Sequence, residues 1–221
     1  MKSVLLRLEG PLQSWGVSSR FDERDTALEP TKSGVVGLCA AAMGIARDDV
    51  EALKPLAALR LAVRIDRAGT LSRDFQTAGG GLFNGQDYGV RKASGSKGET
   101  VISRRAYLAD ASFLAALGGD DHGLIERIDA ALRAPHWPLF LGRRAFVSSV
   151  GIAAGVIDVD PVAALERAPR HPRGDTGPLR LVVEVTEGGL PRTDQPLAFT
   201  SHDRRFALRL VEDRHVSPPE A

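Results

Sequence analysis

Seven glycines fall between Gly79 and Gly98, and almost no aliphatic side chain accompanies them. Glycine offers nothing to bury and loses the most backbone freedom when ordered, so this stretch contributes nothing to a hydrophobic core. The core is therefore built from elements on either side of it. The segment itself reads as an extended excursion with function at its tip.

The flanking sequence supplies those elements. Val4, Leu6 and Leu8 alternate with Leu5, Arg7 and Glu9, the period of a strand with at least one buried face. Thr31 or Ser33 is placed to cap a helix beginning near Lys32 and running through an apolar stretch to Met43. Gly34, Gly37 and Gly44 weaken that helix in isolation but permit close approach to a neighbour. Asp48 and Asp49 start a second helical piece to Leu59, and Leu61, Val63 and Ile65 form a strand. Beyond the excursion, Val101 to Tyr107 and Phe113 to Leu117 return to order. Leu124, Ile125, Ile128 and Leu132 share one helical face, and Phe146 to Val150 supplies a further strand.

The order strand, helix, strand, excursion, strand, helix, strand predicts an α+β fold. It closes most simply as a ferredoxin-like sheet with helices on one face. Residues 1–150 form that domain. Residues 151–221, with strands at Leu179 to Val185 and near Phe206 to Val211, form an appended β region whose end, Val216 to Ala221, is frayed.

At 221 residues and 43% hydrophobic, the chain has enough material for a sizeable core. Its single cysteine, Cys39, lies in an apolar run and suits a reducing cytoplasm. Arg7 and Glu9 interrupt any signal-like segment at the N-terminus. The apolar run Val35 to Ala46 falls short of the roughly 20 residues that cross a bilayer. These features predict a cytoplasmic protein that does not enter membranes.

A net charge of +1 makes no global case for nucleic acid, so distribution decides. Arg91, Lys92, Lys97, Arg104 and Arg105 face only Glu99 between Gly89 and Arg105. Arg133, Arg143, Arg144 and His136 lie in a stretch to Ser149 with no carboxylate. Either cluster forms a phosphate-attracting surface or an ordinary solvated face. Lys32, Ser33 and Gly34 at a helix start could seat a phosphate on free backbone N–H groups, or simply begin a capped helix. No Walker A loop is present, because Thr26 stands where its first glycine is required. Gln13 and Trp15 end the first strand, where the indole either stacks on a base or joins the core. Arg143 and Arg144 follow Gly142, so both guanidiniums could grip phosphates at a turn or merely decorate it.

Enzymatic machinery is sparse. The five histidines are scattered without the i, i+4 partner of a helical zinc site, and no cysteine pair exists, so neither metal nor cofactor is predicted. His136 is the best candidate for a general base in metal-independent RNA cleavage, although a solvated or capping role is the simpler account of it.

Leu6 through Gly16 (reading Leu-Arg-Leu-Glu-Gly-Pro-Leu-Gln-Ser-Trp-Gly), Pro30 through Leu38 and Gly44 through Asp49 together resemble the CasD family. This is the Cas-five subunit of type I-E CRISPR Cascade, of the RAMP superfamily with its RRM-like domains. The resemblance continues through Arg104 to Phe113 and Leu141 to Arg144, covering about the first 150 residues, with a looser final third. It implies a non-catalytic subunit that captures the 5′ handle of the guide crRNA for antiviral defence. It also implies a thumb, here about 76–105, that reaches the backbone subunit (CasC) and the guide. Contact with the large subunit (CasA) that surveys target DNA follows in the same way. The candidate RNA-binding residues are Gln13, Trp15, Lys32, Ser33, Gly34, Arg91, Lys92, Lys97, Arg104, Arg105, Arg143 and Arg144, of which the resemblance singles out by position the Lys32 helix start and the Arg104–Arg105 and Arg143–Arg144 pairs. In type I-C relatives the corresponding subunit resembles the endoribonuclease that processes precursor crRNA, which is the alternative activity.

Overall fold

A computed structural model describes residues 1–17, 22–80, 82–87, 89 and 100–220. The chain opens with β1 (Lys2–Glu9), β2 (Leu12–Gln13) and β3 (Glu23–Arg24), then α1 (Lys32–Ala42) and α2 (Val50–Ala58). Next come β4 (Arg60–Arg67), β5 (Thr70–Ala78), β6 (Leu82–Phe83), β7 (Gln86–Asp87), β8 (Val101–Ala109) and β9 (Ser112–Gly119). After α3 (His122–Arg133), β10 (Ala153–Ile157) and α4 (Pro161–Arg167), the chain ends in β11 (Leu179–Val185), β12 (Leu190–Phe199) and β13 (Arg204–Val216).

The first two helices begin where the sequence predicts, whereas α4 lies in the region read as β. Thr31 Oγ1 accepts from the Gly34 N–H at 3.2 Å, and Asp49 and Asp121 cap α2 and α3 in the same way. Each cap satisfies a backbone donor that the first helical turn leaves open. Gly34 is required by packing rather than by the turn. A Cβ there would stand 2.8 Å from the Trp15 ring.

Seven strands form one antiparallel sheet in the order β10-β1-β9-β4-β11-β13-β12. Alternation along β1 sends Val4, Leu6 and Leu8 to one face, where they meet Val35 and Cys39 of α1, Leu56 of α2 and Ile125 and Ile128 of α3. The other face, with Ala62, Leu114, Ala116 and Leu181, is covered by Ala164 and Leu165 of α4. Helices thus lie on both faces of the sheet, not one. The predicted strand Phe146 to Val150 is an irregular loop, and β10 takes the place beside β1. Strands that follow residue 150 join the same sheet as those before it: β10 pairs with β1, and β11 pairs with β4. Near the C-terminus, Arg170 N–H donates to the Pro219 carbonyl and its guanidinium meets Glu220.

A second, smaller sheet is organised on β8. β5 pairs with its whole length, from Thr70 opposite Ala109 to Ala78 opposite Val101, while β2 and β3 occupy its other edge. Nine residues of strand extend about 30 Å, so this hairpin is an arm. The excursion's predicted limits, about 76 and 105, fall inside these strands. Among the described residues no helix is long and apolar enough to cross a membrane.

Burial in the α1 layer pushes the Cys39 thiol up to about 12. A thiol with no solvent contact and so little thiolate is inert. The folded protein is expected to leave Cys39 unmodified by a thiol-reactive dye at pH 8, with one equivalent reacting after denaturation; rapid labelling of the native state would contradict this packing.

Candidate nucleic-acid interface

The twelve sequence-selected residues separate into three groups. Gln13, Trp15 and Lys32 are buried and engaged in structural roles. Gln13 Nε2 donates to the Leu8 and Ala111 carbonyls, at 3.1 and 2.8 Å, and its Oε1 accepts from Trp15 Nε1 at 3.2 Å. Trp15 is 1% exposed, so no base can stack on it. The α1 N-terminus is likewise closed to a phosphate. Asp194 Oδ2 accepts from the Lys32 N–H at 2.8 Å, and Lys32 Nζ donates to Glu184 Oε1 at 2.9 Å. Burial, opposed by Glu184, shifts the Lys32 ammonium below the usual lysine range. The protein supplies its own carboxylate to the helix start; Ser33 Oγ donates to Thr31 Oγ1 at 3.4 Å, and Gly34 packs on the Trp15 ring. Arg91, Lys92 and Lys97, the second group, lie outside the described residues.

The third group comes together at the root of the arm. Arg105 on β8 faces Asp74 on β5 and Arg24 on β3, so three strands bring these side chains to one face of the small sheet. Arg143 joins them from the 141–146 loop, its Nη2 donating to the Ala106 carbonyl at 2.7 Å and its guanidinium lying 5.3 Å over the Phe146 ring. The loop is held by Leu141 N–H to Phe146 O, Phe146 N–H to Arg143 O and Ser14 N–H to Leu141 O. Gly142 is obligatory in it: φ is +98°, and a Cβ would fall 1.8 Å from the Ser14 carbonyl oxygen. Arg144 projects into solvent beside it. Arg104, on the opposite face of β8, is exposed and pairs with Glu23 at 3.2 Å.

Electrostatically this root is short of negative charge. Burial lowers Arg143's affinity for its proton; Asp74 opposes the shift, while Arg105 and Arg24 add to it. Three guanidiniums around one carboxylate leave a surplus that an anion would relieve. Arg24 and Asp74 went unnoticed in the sequence because only the strand register places them beside Arg105. A second basic concavity flanks α4, lined by Arg7, Arg167, Arg170 and His171. Its polar side chains are largely committed: Arg7 to Asp66, Arg170 to the Asp175 and Gly177 carbonyls, and His171 to Glu9. His136, the suggested general base, lies with its ring edge-on to Trp137 and close to Gly44. No group of three or more potential metal ligands occurs among the described residues.

The family model described as CRISPR-associated protein (Cas_Cas5) matches residues 3–212. This chain belongs to that family. Among Cas_Cas5 relatives, it is 36% identical over 153 residues to "CRISPR system Cascade subunit CasD" of Escherichia coli (strain K12), covering 64% of this chain and 65% of that protein. The alignment therefore spans just under two thirds of that relative's length. A chain of a solved "CRISPR RNA-guided surveillance complex" is 38% identical, with a TM-score of 0.81 over 98% of this chain and 91% of that one. A "Crystal structure of Cas protein" gives 38% identity and a TM-score of 0.76, covering 99% and 98% of the two chains. These likenesses agree with the mixed α/β architecture found here, mostly sheet with four helices among the described residues.

Proposed function

We propose that this protein is a non-catalytic subunit of a type I-E CRISPR surveillance complex, Cascade, and holds the 5′ handle of the guide crRNA. The observation that carries the proposal is the convergence of Arg24, Arg105 and Arg143 at the root of the arm, with Arg144 free beside them. Single-stranded RNA is gripped by such a basic groove next to an adaptable loop, without acid–base machinery. The names of the relatives support the same assembly.

The first part of the chain reads as a ferredoxin-like, RAMP-type unit: β1, α1, β4, β9, α3 and β10, with strands in the spatial order β10-β1-β9-β4. An open sheet would offer RNA its helix-free face. Here α4 packs on that face, which directs the guide to the arm instead. The arm, with Arg91, Lys92 and Lys97 in its excursion, reaches the backbone subunit CasC and the guide. The large subunit CasA, and through it target DNA, are the further partners of the assembled complex.

The test is salt-dependent binding of handle RNA to the full chain. Each phosphate contact on a single strand contributes about 0.7 to the slope of log affinity against log salt. The double variant Arg24→Ala with Arg105→Ala is expected to flatten the slope by about 1.4 while melting at the wild-type temperature. An unchanged slope in a normally folded variant would remove this site from the RNA path. Metal-free cleavage of repeat RNA would refute the non-catalytic assignment.

A further inference from the structure

Buried charges in this protein are almost all satisfied. Arg64 bonds Asp66 and three carbonyls, Glu9 is met by His171, Arg173 and Ser112, and Asp194 is met by Arg209 and the Lys32 N–H. Two side-chain atoms among the described residues depart from this pattern: Asp74 Oδ1 and Arg143 Nη1 are shielded from solvent and have no hydrogen-bond partner. Both belong to the root of the arm.

Their surroundings make the pair more informative than either atom. Asp74 Oδ2 already accepts from Gln76 Nε2 at 2.7 Å, and Arg143 Nη2 already donates to the Ala106 carbonyl at 2.7 Å. Each side chain is therefore fixed by one hydrogen bond and left open at its other polar atom. They influence one another electrostatically, yet they form no ion pair within 4.0 Å. An acceptor and a donor thus remain unmet in a site otherwise rich in arginine. Leaving both unmet is unfavourable, so a ligand that satisfied both would be stabilised here.

The chemistry of that ligand is constrained. A phosphate oxygen accepts but does not donate, and it would be repelled by the carboxylate. A hydroxyl does both, donating to one neighbour and accepting from the other. On a single strand whose phosphates lie against Arg24 and Arg105, the hydroxyl next to each phosphate is the ribose 2′-OH. That group is also what distinguishes RNA from DNA at a given site. We propose that Asp74 is a specificity-determining residue that accepts a hydrogen bond from a guide 2′-hydroxyl, which in turn accepts from Arg143, so that the arm root selects RNA over DNA. This rests on the RNA-binding reading above. Both atoms are shielded from solvent, so the sugar reaches them only as neighbouring side chains move.

The experiment compares binding of the full chain to handle RNA and to its all-2′-deoxy counterpart of the same base sequence, by fluorescence anisotropy. Wild type is expected to prefer RNA by about tenfold, the scale of one hydrogen bond to a charged group. A 2′-fluoro strand, which cannot donate, should bind like the deoxy strand. Asp74→Ala is expected to lower RNA affinity to the deoxy level while leaving deoxy binding unchanged or tighter, since a carboxylate has been removed from the phosphates. A merely structural Asp74 would weaken both strands together, and that result overturns the inference. So does equal binding of both strands by wild type, or discrimination that follows a base change and ignores the sugar. If wild type binds neither strand, the handle-holding function itself fails.

Discussion

Lys32→Ala is expected to destabilise the protein by about 3 kcal/mol while leaving the salt dependence of RNA binding unchanged. The ammonium is withdrawn from solvent with Glu184 at 2.9 Å, and removing one member of a buried ion pair leaves the other charge uncompensated. The loss is at the lower end of the usual range because Arg209 lies 3.8 Å from the same carboxylate. The helix cap survives, since Asp194 bonds the backbone N–H and not the side chain. Replacing both partners, Lys32→Met with Glu184→Met, should restore much of the loss, because two buried charges are then replaced by apolar groups of similar size. Chemical denaturation of the four proteins in this cycle gives the coupling. A normally stable Lys32→Ala with a flattened salt slope would return the α1 N-terminus to the RNA site.

Trp15→Ala is expected to cost about 3–5 kcal/mol, the scale for emptying a large aromatic site in a core. The ring is 1% exposed, packs on Gly34, and its N–H is satisfied by Gln13. The backbone around it is tied as well, Trp15 N–H to Thr26 Oγ1 and Ala27 N–H to the Trp15 carbonyl. Trp15→Phe should recover part of the loss. Were the indole a stacking platform, Trp15→Ala would instead melt normally and bind RNA more weakly. Thermal melts read beside anisotropy titrations separate the two outcomes.

These two residues mark where the sequence was readable and where it was not. The strand at Leu179–Val185 and the amphipathic face of α3 follow directly from apolar spacing, because burial on one side is a local property of the chain. The burial of Lys32 is not local. It depends on Glu184 and Asp194, more than 150 residues away, which turn a basic helix start into an internal ion cluster. β5 was missed because its Leu71 and Phe75 face outward, reversing the usual sign of the pattern. β12 was missed because Pro191 and Pro196 argue against a strand, yet it is the edge strand of the large sheet, where proline is tolerated. Phe146 to Val150 misled in the other direction: Phe146 is buried to anchor the arginine loop, while Val147 and Val150 are exposed. Of the arm root, Arg105 and Arg143 were visible as basic doublets, whereas Arg24 and Asp74 acquire meaning only through strand register.

The large sheet carries a consequence for how the protein comes into being on the ribosome. β1, β9 and β4 are neighbours in space, but the strands that cover their outer edges arrive late: Val4 waits for Val156, and Val63 waits for Val182. Such sequence-distant pairing makes folding slow, because the intervening chain must be closed into large loops before any ladder forms. Until β10 and β11 emerge, the nascent protein presents two unpaired strand edges, each able to pair with another chain. A message cut short before residue 153 therefore yields not a smaller working module but a sticky half-sheet, and intact synthesis of the final third protects the first.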